Sequence, residues 1–441
     1  MILLLVACKG PPLSLQATLS SDDSHAALVS VSAASTVICT AADDERVLNV
    51  EEEGTLRGLL ADEEYSCIAR ADGWSDSPPV LVTAPALPAD LPLPTVKIRG
   101  DAGFHLLQYS KLNDLTTEKA IEARYLVVLD DKGRPRWEFP GGAGDVDTSW
   151  RAPGEILFGG FGIDKPFPPT VVDLDGNVLW MGPDEVVIDG RPYGDWNHDV
   201  GLNAEKNGVM GLVRQLDTGP DDYNFQILEL SLENGEILWF WDAFTYAADV
   251  LPPPEGLDPY HANAVWEDSG RVYVSLRADN RVIAIDKATK QVLWSIGPGL
   301  DFALQDTDGK PLAEIEWFYS QHDVKVIGDL LYVYDNGNER KEAGGTADTR
   351  VEVFRIDEER MVATREMMWT KKGWFTFLWG GIDPLPDGYN IAASSLYWME
   401  TGGPNAELFH LDAAGEELTW RLEFEDPTVS LYRSEWTAEF P

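Results

Sequence analysis

The chain has 441 residues, which is enough for two or three domains or for one large β architecture with a smaller appendage. Its 34 Lys and Arg residues stand against 75 Asp and Glu residues, a formal net charge of −41, so nucleic acid is excluded as a partner by repulsion of its phosphates. With 44% hydrophobic and 10% aromatic residues, the composition is that of a folded protein rather than an acidic disordered chain.

The first nine residues are similar to a bacterial lipoprotein signal. In MILLLVACK, a short apolar stretch and Ala7 precede Cys8, and Lys9 follows it. In such signals the cysteine is lipidated and becomes the mature N-terminus. The sequence therefore predicts a signal remnant at 1–9, lipidation of Cys8 and an extracytoplasmic location, either periplasmic or at the cell surface. The alternative is an ordinary apolar N-terminus, and apart from this segment no apolar run approaches the roughly 18 residues needed to span a bilayer.

Residues 10–84 contain short runs rich in β-branched residues, separated by Asp, Glu, Gly and Ser turns. This pattern is typical of a small β-sandwich of the immunoglobulin or fibronectin type III kind. Cys39 and Cys67 lie in two of these runs, TVICT and EEYSCIARA. In an exported protein we expect them to form a disulfide, whereas in the cytosol they would be buried free thiols. Residues 85–94 are rich in proline and predict a linker.

Beyond the linker one phrase recurs, in which an apolar strand and an acidic turn precede a second strand that reaches a tryptophan. Its six copies end at Trp137, Trp180, Trp239, Trp294, Trp369 and Trp420, about 57 residues apart on average. This spacing fits a four-stranded propeller blade, so residues 95–441 are predicted to form a six-bladed β-propeller. The fold class predicted for the chain is all-β, with the propeller preceded by the small β-sandwich. The tryptophans are expected to pack between blades.

Three of the six histidines break the repeat. His198, His261 and His322 occur in GDWNHDVGL, LDPYHANAV and WFYSQHDVKVI, at steps of 63 and 61 residues. A step of about one blade places them at equivalent points of three consecutive blades, beside the central channel. Because packing alone rarely requires the same ionisable group in half of the blades, the three histidines are predicted to form one site.

Polar residues near the histidines extend this site. Asp195 and Asp258 each precede a histidine by three residues, and a carboxylate there can fix the tautomer of the imidazole. Asn263 follows His261 by two residues, which in a regular strand places both side chains on one face. Arg277 ends the next strand and is expected at the same rim.

The strand that follows His322 ends in Asp335 and Asn336, which can place an amide at the site or can form a simple turn. Because His322 has no aspartate three residues upstream, Asp323 and Asp335 are the candidates to orient its ring. Arginine, asparagine and histidine together suit an anionic tetrahedral group, to which they supply fixed donors, a nucleophile and proton carriers.

The phrases DWNHDV, HANAVWEDSGRVYVSLR and SQHDVKVIGDLLYVYDNGNER, with the C-terminal SLYRSEW, resemble the bacterial arylsulfotransferases, which act outside the cytoplasm without the nucleotide donor PAPS. The resemblance covers about residues 95–441. It implies transfer of a sulfuryl group from an aryl sulfate to a phenol through a sulfohistidine, with small-molecule partners and no cofactor. It assigns the nucleophile to His322 and supporting roles to the other matching residues, namely His198, His261, Asn263 and Arg277.

Two other interpretations stay open on the residues alone. The repeated phrase also resembles the quinoprotein-type repeats of propeller lipoproteins that organise envelope assembly, so a scaffold or a glycan-binding module is the first alternative. The second is a metal-dependent hydrolase or lyase, because three histidines and a carboxylate satisfy a common ligand set. Metal analysis of the purified protein separates the second alternative from sulfuryl transfer, which we expect to use no metal.

Overall fold

A computed structural model describes residues 11–20, 25–112, 121–140, 147–161, 166–218, 225–251, 260–394 and 406–440. The chain in these ranges is almost entirely β-strand, as predicted, with one short helix, α1 (Ala243–Tyr246), and two 3-10 turns, Arg277–Asp279 and Glu314–Glu316. None of the helices in the described ranges has the length and apolar character needed to cross a membrane. The predicted signal with Cys8 lies outside the described residues, as does Asp258.

The N-terminal part contributes seven strands in the described residues: β1 (Leu15–Leu19), β2 (Ala27–Val31), β3 (Ser35–Thr40), β4 (Glu45–Val50), β5 (Glu53–Leu56), β6 (Glu64–Arg70) and β7 (Val80–Thr83). They form two antiparallel sheets, one in the order β1-β2-β5 and one in the order β4-β3-β6-β7. Alternate residues of both sheets, such as Val29 and Val37, are buried in one shared core. This alternation is the period-two pattern of strands with one buried face.

A disulfide joins the two cysteines of this core, as the sequence predicted. Cys39 on β3 and Cys67 on β6 face each other directly in the ladder of the second sheet, and both are buried. The two residues are 28 positions apart in the sequence, so the bond closes a loop of moderate length. A cross-link of this kind restricts the unfolded chain more than the folded one.

In protein secreted to an oxidising compartment, thiol labelling without reductant should leave Cys39 and Cys67 unmodified. Reducing the bond should lower the free energy of unfolding by about 3 to 4 kcal/mol, since the reduced chain regains the freedom of the open loop. Thiol counting under denaturing conditions and urea titration with and without reductant measure the two effects. Full labelling of either cysteine in the folded, exported protein would contradict the prediction.

The rest of the described chain forms strands β8 to β34. In chain order they are β8 (Thr95–Ile98), β9 (Phe104–Leu112), β10 (Ile121–Asp130), β11 (Pro135–Pro140), β12 (Thr148–Ala152), β13 (Glu155–Phe161), β14 (Pro166–Asp173), β15 (Val178–Met181), β16 (Glu185–Ile188), β17 (Arg191–Leu202), β18 (Gly208–Gln215), β19 (Gln226–Ser231), β20 (Ile237–Asp242), β21 (Ala262–Asp268), β22 (Arg271–Leu276), β23 (Arg281–Asp286), β24 (Val292–Ile296), β25 (Ala303–Gln305), β26 (His322–Ile327), β27 (Leu330–Asp335), β28 (Arg350–Asp357), β29 (Val362–Trp369), β30 (Gly381–Leu385), β31 (Gly388–Ala393), β32 (Glu407–Asp412), β33 (Leu418–Glu423) and β34 (Val429–Thr437).

These strands form six sheets that follow one another along the described chain. Their orders are β34-β9-β10-β11, β12-β13-β14-β15, β16-β17-β18-β19-β20, β21-β22-β23-β24, β26-β27-β28-β29-β25 and β30-β31-β32-β33-β8. The strand nearest the C-terminus, β34, completes the first sheet beside β9, while β8 completes the last sheet beside β33. The two ends of this region are therefore interlocked through two sheets.

One strand from each sheet contacts its counterparts in the neighbouring sheets. The contacts run from β12 to β17, β21, β26, β30 and β34 in turn, and from β34 back to β12, so the series is closed. The tryptophans join neighbouring sheets, as predicted for packing groups. Trp137 Nε1 donates to Leu174 O at 2.8 Å, and Trp420 Nε1 donates to Asp131 O at 2.7 Å, each acceptor lying in a turn of the next sheet.

Ionic contacts join the N-terminal sheets to the others. Arg136 on β11 is buried and donates to both carboxylate oxygens of Asp44 at 2.8 Å and to Gly58 O at 2.9 Å. Its guanidinium also donates to Asp130 on β10. Because a two-pronged arginine–carboxylate contact fixes orientation as well as distance, Arg136 holds the two parts of the chain in register.

Candidate active site

The backbone is irregular where the three histidines lie. His198 is within β17, His261 immediately precedes β21, and His322 begins β26. The ladder register of each strand shifts at this level, and φ is positive at His198 (55°), His261 (45°) and Asp323 (46°). Left-handed backbone costs about 1 to 2 kcal/mol per non-glycine residue, and bulges redirect side chains next to active sites. Strained backbone therefore turns the chain at each histidine.

The structure brings the three histidines together, as the sequence predicted. The rings of His198 and His261 have their centroids 4.8 Å apart, and both residues are half-buried. His322 is fully buried. Burial lowers the pKa of His322 well below its ordinary value, and the positive charge of Arg277 lowers it further, with smaller contributions from the other two histidines. His322 is consequently neutral at physiological pH.

The side-chain amide of Asn336 selects the tautomer of His322. His322 Nδ1 lies 2.6 Å from Asn336 Oδ1, while Asn336 Nδ2 donates to Thr376 O at 2.9 Å and to Trp379 O at 3.0 Å. The reversed amide would place its oxygen against two carbonyl oxygens, so only this orientation satisfies the buried groups. Nδ1 of His322 therefore carries the proton, and Nε2 carries the lone pair.

The glutamine and asparagine beside the histidines fix the backbone that presents His322. Gln321 Nε2 donates to Ser275 Oγ at 3.0 Å and to Leu276 O at 3.2 Å, which ties the Gln-His phrase to the end of β22. Asn263 Nδ2 donates to Gln321 O at 2.8 Å. One amide N–H of Asn263 is thus used to hold the backbone directly before the nucleophile candidate.

Arg277 lies near His322, and its charge acts on that ring. It follows the last residue of β22, opens the short 3-10 turn and is half-buried. Its Cζ lies 6.0 Å from the centroid of the Phe377 ring. A permanent cation beside a neutral, tautomer-locked imidazole suits a reacting group that carries negative charge on several oxygens.

The carboxylates that the sequence proposed as orienting groups are engaged elsewhere. Asp195 forms an ion pair with Arg214. Asp335 accepts from Tyr319 N at 2.8 Å and forms a buried ion pair with Arg340. The second upstream aspartate, Asp258, lies outside the described residues. For His322 the orienting group is instead the amide of Asn336, whose hydrogen bond raises the pKa of the ring against the larger lowering by burial and by the charge of Arg277.

Two further details differ from the sequence interpretation. The bulge between Ala262 and Ala264 interrupts the alternation that placed His261 and Asn263 on one face of a strand. Asp323, the other candidate to orient His322, accepts from Ile382 N at 2.7 Å and from Lys325 Nζ at 2.9 Å. Sequence reasoning also assigned no role to Arg433, although the charged residue inside the apolar strand phrase VSLYRS was a signal for it.

No group of three or more His, Cys, Asp or Glu side chains in the described ranges has the arrangement of a metal site.

The sequence of the chain matches the family model described as arylsulfotransferase (ASST) over residues 193–433. The match spans more than half of the chain and includes every predicted site residue from His198 to His322. The chain belongs to the arylsulfotransferase family. No curated protein matches it.

Solved structures share only a loose likeness with the chain. A Bacteroides caccae protein of unknown function has 14% identity and a TM-score of 0.47, over 76% of this chain and 98% of that one. The β-propeller domain of Cps50 (Swd1) from Myceliophteria thermophila has 11% identity and a TM-score of 0.40, over 77% and 98%. A luciferin-regenerating enzyme has 9% identity and a TM-score of 0.38, over 76% and 96%. At these scores the likeness carries no argument.

Proposed function

We propose that the protein transfers a sulfuryl group from an aryl sulfate to a phenol, without PAPS, through a sulfohistidine formed at His322. The observation that carries the proposal is the hydrogen bond from His322 Nδ1 to Asn336 Oδ1, because it leaves the Nε2 lone pair on a buried, neutral ring. A neutral imidazole nitrogen beside a fixed cation is the arrangement that nucleophilic attack on an anionic sulfate ester requires.

In the first step the Nε2 lone pair of His322 attacks sulfur. The N–S bond forms while the bond from sulfur to the aryl oxygen breaks, and the phenolate takes a proton from an imidazolium, either His261 or His198. The ring of His322 gains positive charge as it is sulfonated, and Asn336 Oδ1 accepts from Nδ1–H more strongly as this charge develops. In the second step an acceptor phenol returns its proton to the histidine pair, its oxygen attacks sulfur, and the N–S bond breaks.

The supporting residues have distinct roles in this scheme. In a loose transition state the negative charge spreads over the three sulfuryl oxygens. Arg277 is a permanent cation with several N–H donors, and it stabilises this transition state by lying beside those oxygens. His198 and His261, whose ring centroids are 4.8 Å apart, are proposed to supply the proton carrier that acts as an acid in one step and as a base in the next. Asn263 is proposed to bind substrate with its remaining amide N–H while it holds Gln321 O.

The domain organisation fits this function. We propose that residues 95–441 form a six-bladed β-propeller, with the closed series of inner-strand contacts around its channel, and that 10–84 is a β-sandwich joined by the linker 85–94. The disulfide supports an oxidising, extracytoplasmic location, periplasmic or at the cell surface, with lipidation at Cys8 as the proposed anchor. Donor and acceptor are small molecules, and no cofactor is involved.

The proposal is tested by intact mass measurement after brief exposure to a chromogenic aryl sulfate. A gain of one sulfuryl group, followed by its loss when a phenol is added, is the expected result. Release of the phenol without any covalent gain would replace the sulfohistidine by direct transfer. Absence of both release and gain, across a panel of aryl sulfates, would favour the scaffold interpretation instead.

The pH dependence of labelling follows from the lowered pKa of His322. Single-turnover labelling should persist as the pH falls to the ordinary histidine value of about 6.5 and fail only well below it, because the neutral ring is the reactive form. Arg277→Met removes a charge that lowers this pKa, so the acid limb of the labelling rate plotted against pH should move to higher pH in this variant. Arg277→Lys keeps the charge and should leave the limb in place. An unchanged limb in Arg277→Met would contradict the coupling between the two residues.

A further inference from the structure

One buried arginine contacts residues that lie within two positions of each of the three histidines in the chain. Arg433, on β34, is 3% exposed. Its Nη1 donates to Asp147 Oδ2 and to Asp199 Oδ2, both at 3.0 Å, and its Nη2 donates to Asn263 O at 2.9 Å. Its Nε lies 3.5 Å from Asp323 Oδ1. The guanidinium thus contacts residues from four separate parts of the chain.

Three of these partners are neighbours of the histidines in the sequence. Asp199 follows His198, Asp323 follows His322, and Asn263 lies two residues after His261. The pairing of β34 with β9 shifts register between Leu431 and Ser434, so Arg433 itself sits in an irregular stretch that turns its side chain inward. The same cation therefore touches all three strands at the level where they bulge.

The partners of Arg433 also anchor adjacent strands. Asp199 Oδ2 accepts from Val265 N at 2.8 Å, and Asp323 Oδ2 accepts from Ile382 N at 2.7 Å. Each carboxylate thereby links a histidine-bearing strand to the next inner strand. Since left-handed backbone at non-glycine residues persists only where surrounding contacts impose it, these links hold the conformation of the histidine segments.

We propose that Arg433 is a positioning residue for sulfuryl transfer, which acts through Asp199, Asn263 and Asp323 to hold His198, His261 and His322 in their reactive arrangement. This inference rests on the proposed function. Arg433 acts through residues within two positions of each histidine, so its effect appears in how often the nucleophile, the proton carriers and the substrate are aligned, not in the chemistry of any one group.

The shape of the guanidinium matters as well as its charge. Its donors reach acceptors on several strands at once, which a lysine ammonium cannot reproduce from one point. Asp147, Asp199 and Asp323 surround it, and Lys325 supplies a second cation beside Asp323. Arg433→Lys keeps the buried positive charge that these carboxylates require but loses the fork, so it tests position with the least disturbance of charge.

The experiment is pre-steady-state labelling with a chromogenic aryl sulfate, in which the burst amplitude counts competent sites and the burst rate constant reports the sulfonation step. For Arg433→Lys we expect a rate constant at least 10-fold lower per competent site, with little change in KM. A merely structural role would lower the amplitude or the melting temperature and leave the rate constant of the remaining sites unchanged.

Two further variants keep the proposal falsifiable. Asp199→Asn is nearly isosteric and weakens one contact of Arg433, so it should lower the rate constant in the same direction if Arg433→Lys fails to fold. Arg136→Lys is the control, because Arg136 is a buried, ion-paired arginine on β11 whose partners, Asp44 and Asp130, lie away from the histidines; its rate constant should be unchanged. Wild-type rate constants in both Arg433→Lys and Asp199→Asn would overturn the positioning role of Arg433 and would leave the proposed sulfuryl transfer standing. Absence of labelling in the wild-type protein would overturn the proposed function, and the inference with it.

Discussion

Replacement of His322 by alanine is expected to abolish both sulfuryl transfer and the covalent mass gain. The loss in kcat should be on the order of 10⁴-fold or more, the scale that follows removal of a nucleophile in covalent catalysis. The physical reason is that His322 is fully buried, whereas His198 and His261 are half-buried, and that its amide partner commits Nδ1 to donation and frees Nε2. Peptide mapping of trapped protein, under alkaline conditions that preserve an N-sulfonated imidazole, identifies the modified residue.

The other two histidines provide the matched comparison. His261→Ala and His198→Ala should slow turnover yet still permit labelling at His322, since each supplies a proton rather than the bond to sulfur. Label found on the peptide that contains His261 or His198, with none on His322, would overturn the assignment. Full activity of His322→Ala would do so as well.

Substitution of Arg277 by lysine should have the second largest effect, a fall in kcat on the order of 10² to 10³-fold. Lysine preserves the charge but not the planar set of donors that matches several sulfuryl oxygens at once. Folding should be little affected, because the side chain is half-buried and follows the last residue of β22 rather than lying within the strand.

Arg281→Lys is the control for this variant. Arg281 begins β23, four residues after Arg277, and its side chain pairs with Asp279. Steady-state kinetics with circular dichroism melting curves for both variants separate chemistry from stability. Ordinary turnover in Arg277→Lys would move the sulfate-binding position elsewhere, whereas equal losses in the two variants would indicate a general effect on this segment.

The all-β architecture, the disulfide and the convergence of three histidines could be predicted because each depends on spacing along the chain. A repeated sequence pattern of strand, turn and strand ends in a tryptophan where one sheet packs on the next. Trp137 and Trp420 make the expected contacts, each donating a hydrogen bond to a turn of the neighbouring sheet. Histidines in phase with such a repeat must meet if the sheets close on themselves. Cys39 and Cys67 needed only neighbouring strands in one sheet.

The details of the site could not be predicted because they depend on departures from regular strands. Period-two alternation has no way to anticipate the bulge between Ala262 and Ala264, which interrupts the regular strand between His261 and Asn263. The sequence offered Asp323 and Asp335 as groups to orient His322 and Asn336 as an amide for the site, and the partner of His322 is Asn336. The choice among the three depends on a third segment, because backbone carbonyls of Thr376 and Trp379 fix the Asn336 amide, and no local pattern links that segment to His322.

The position of Arg433 on β34 has a consequence for the order in which the protein matures. β34 follows the three histidine-bearing strands in the chain and therefore leaves the ribosome after them, and it pairs with β9, more than 300 residues earlier in the chain. Contacts of such long range form slowly. Until that pairing occurs, Asp199, Asn263 and Asp323 lack their common cation. A nascent chain in which β34 has not yet docked therefore carries all three histidines without the contacts of Arg433, and we expect it to acquire the proposed transfer activity only when β34 docks.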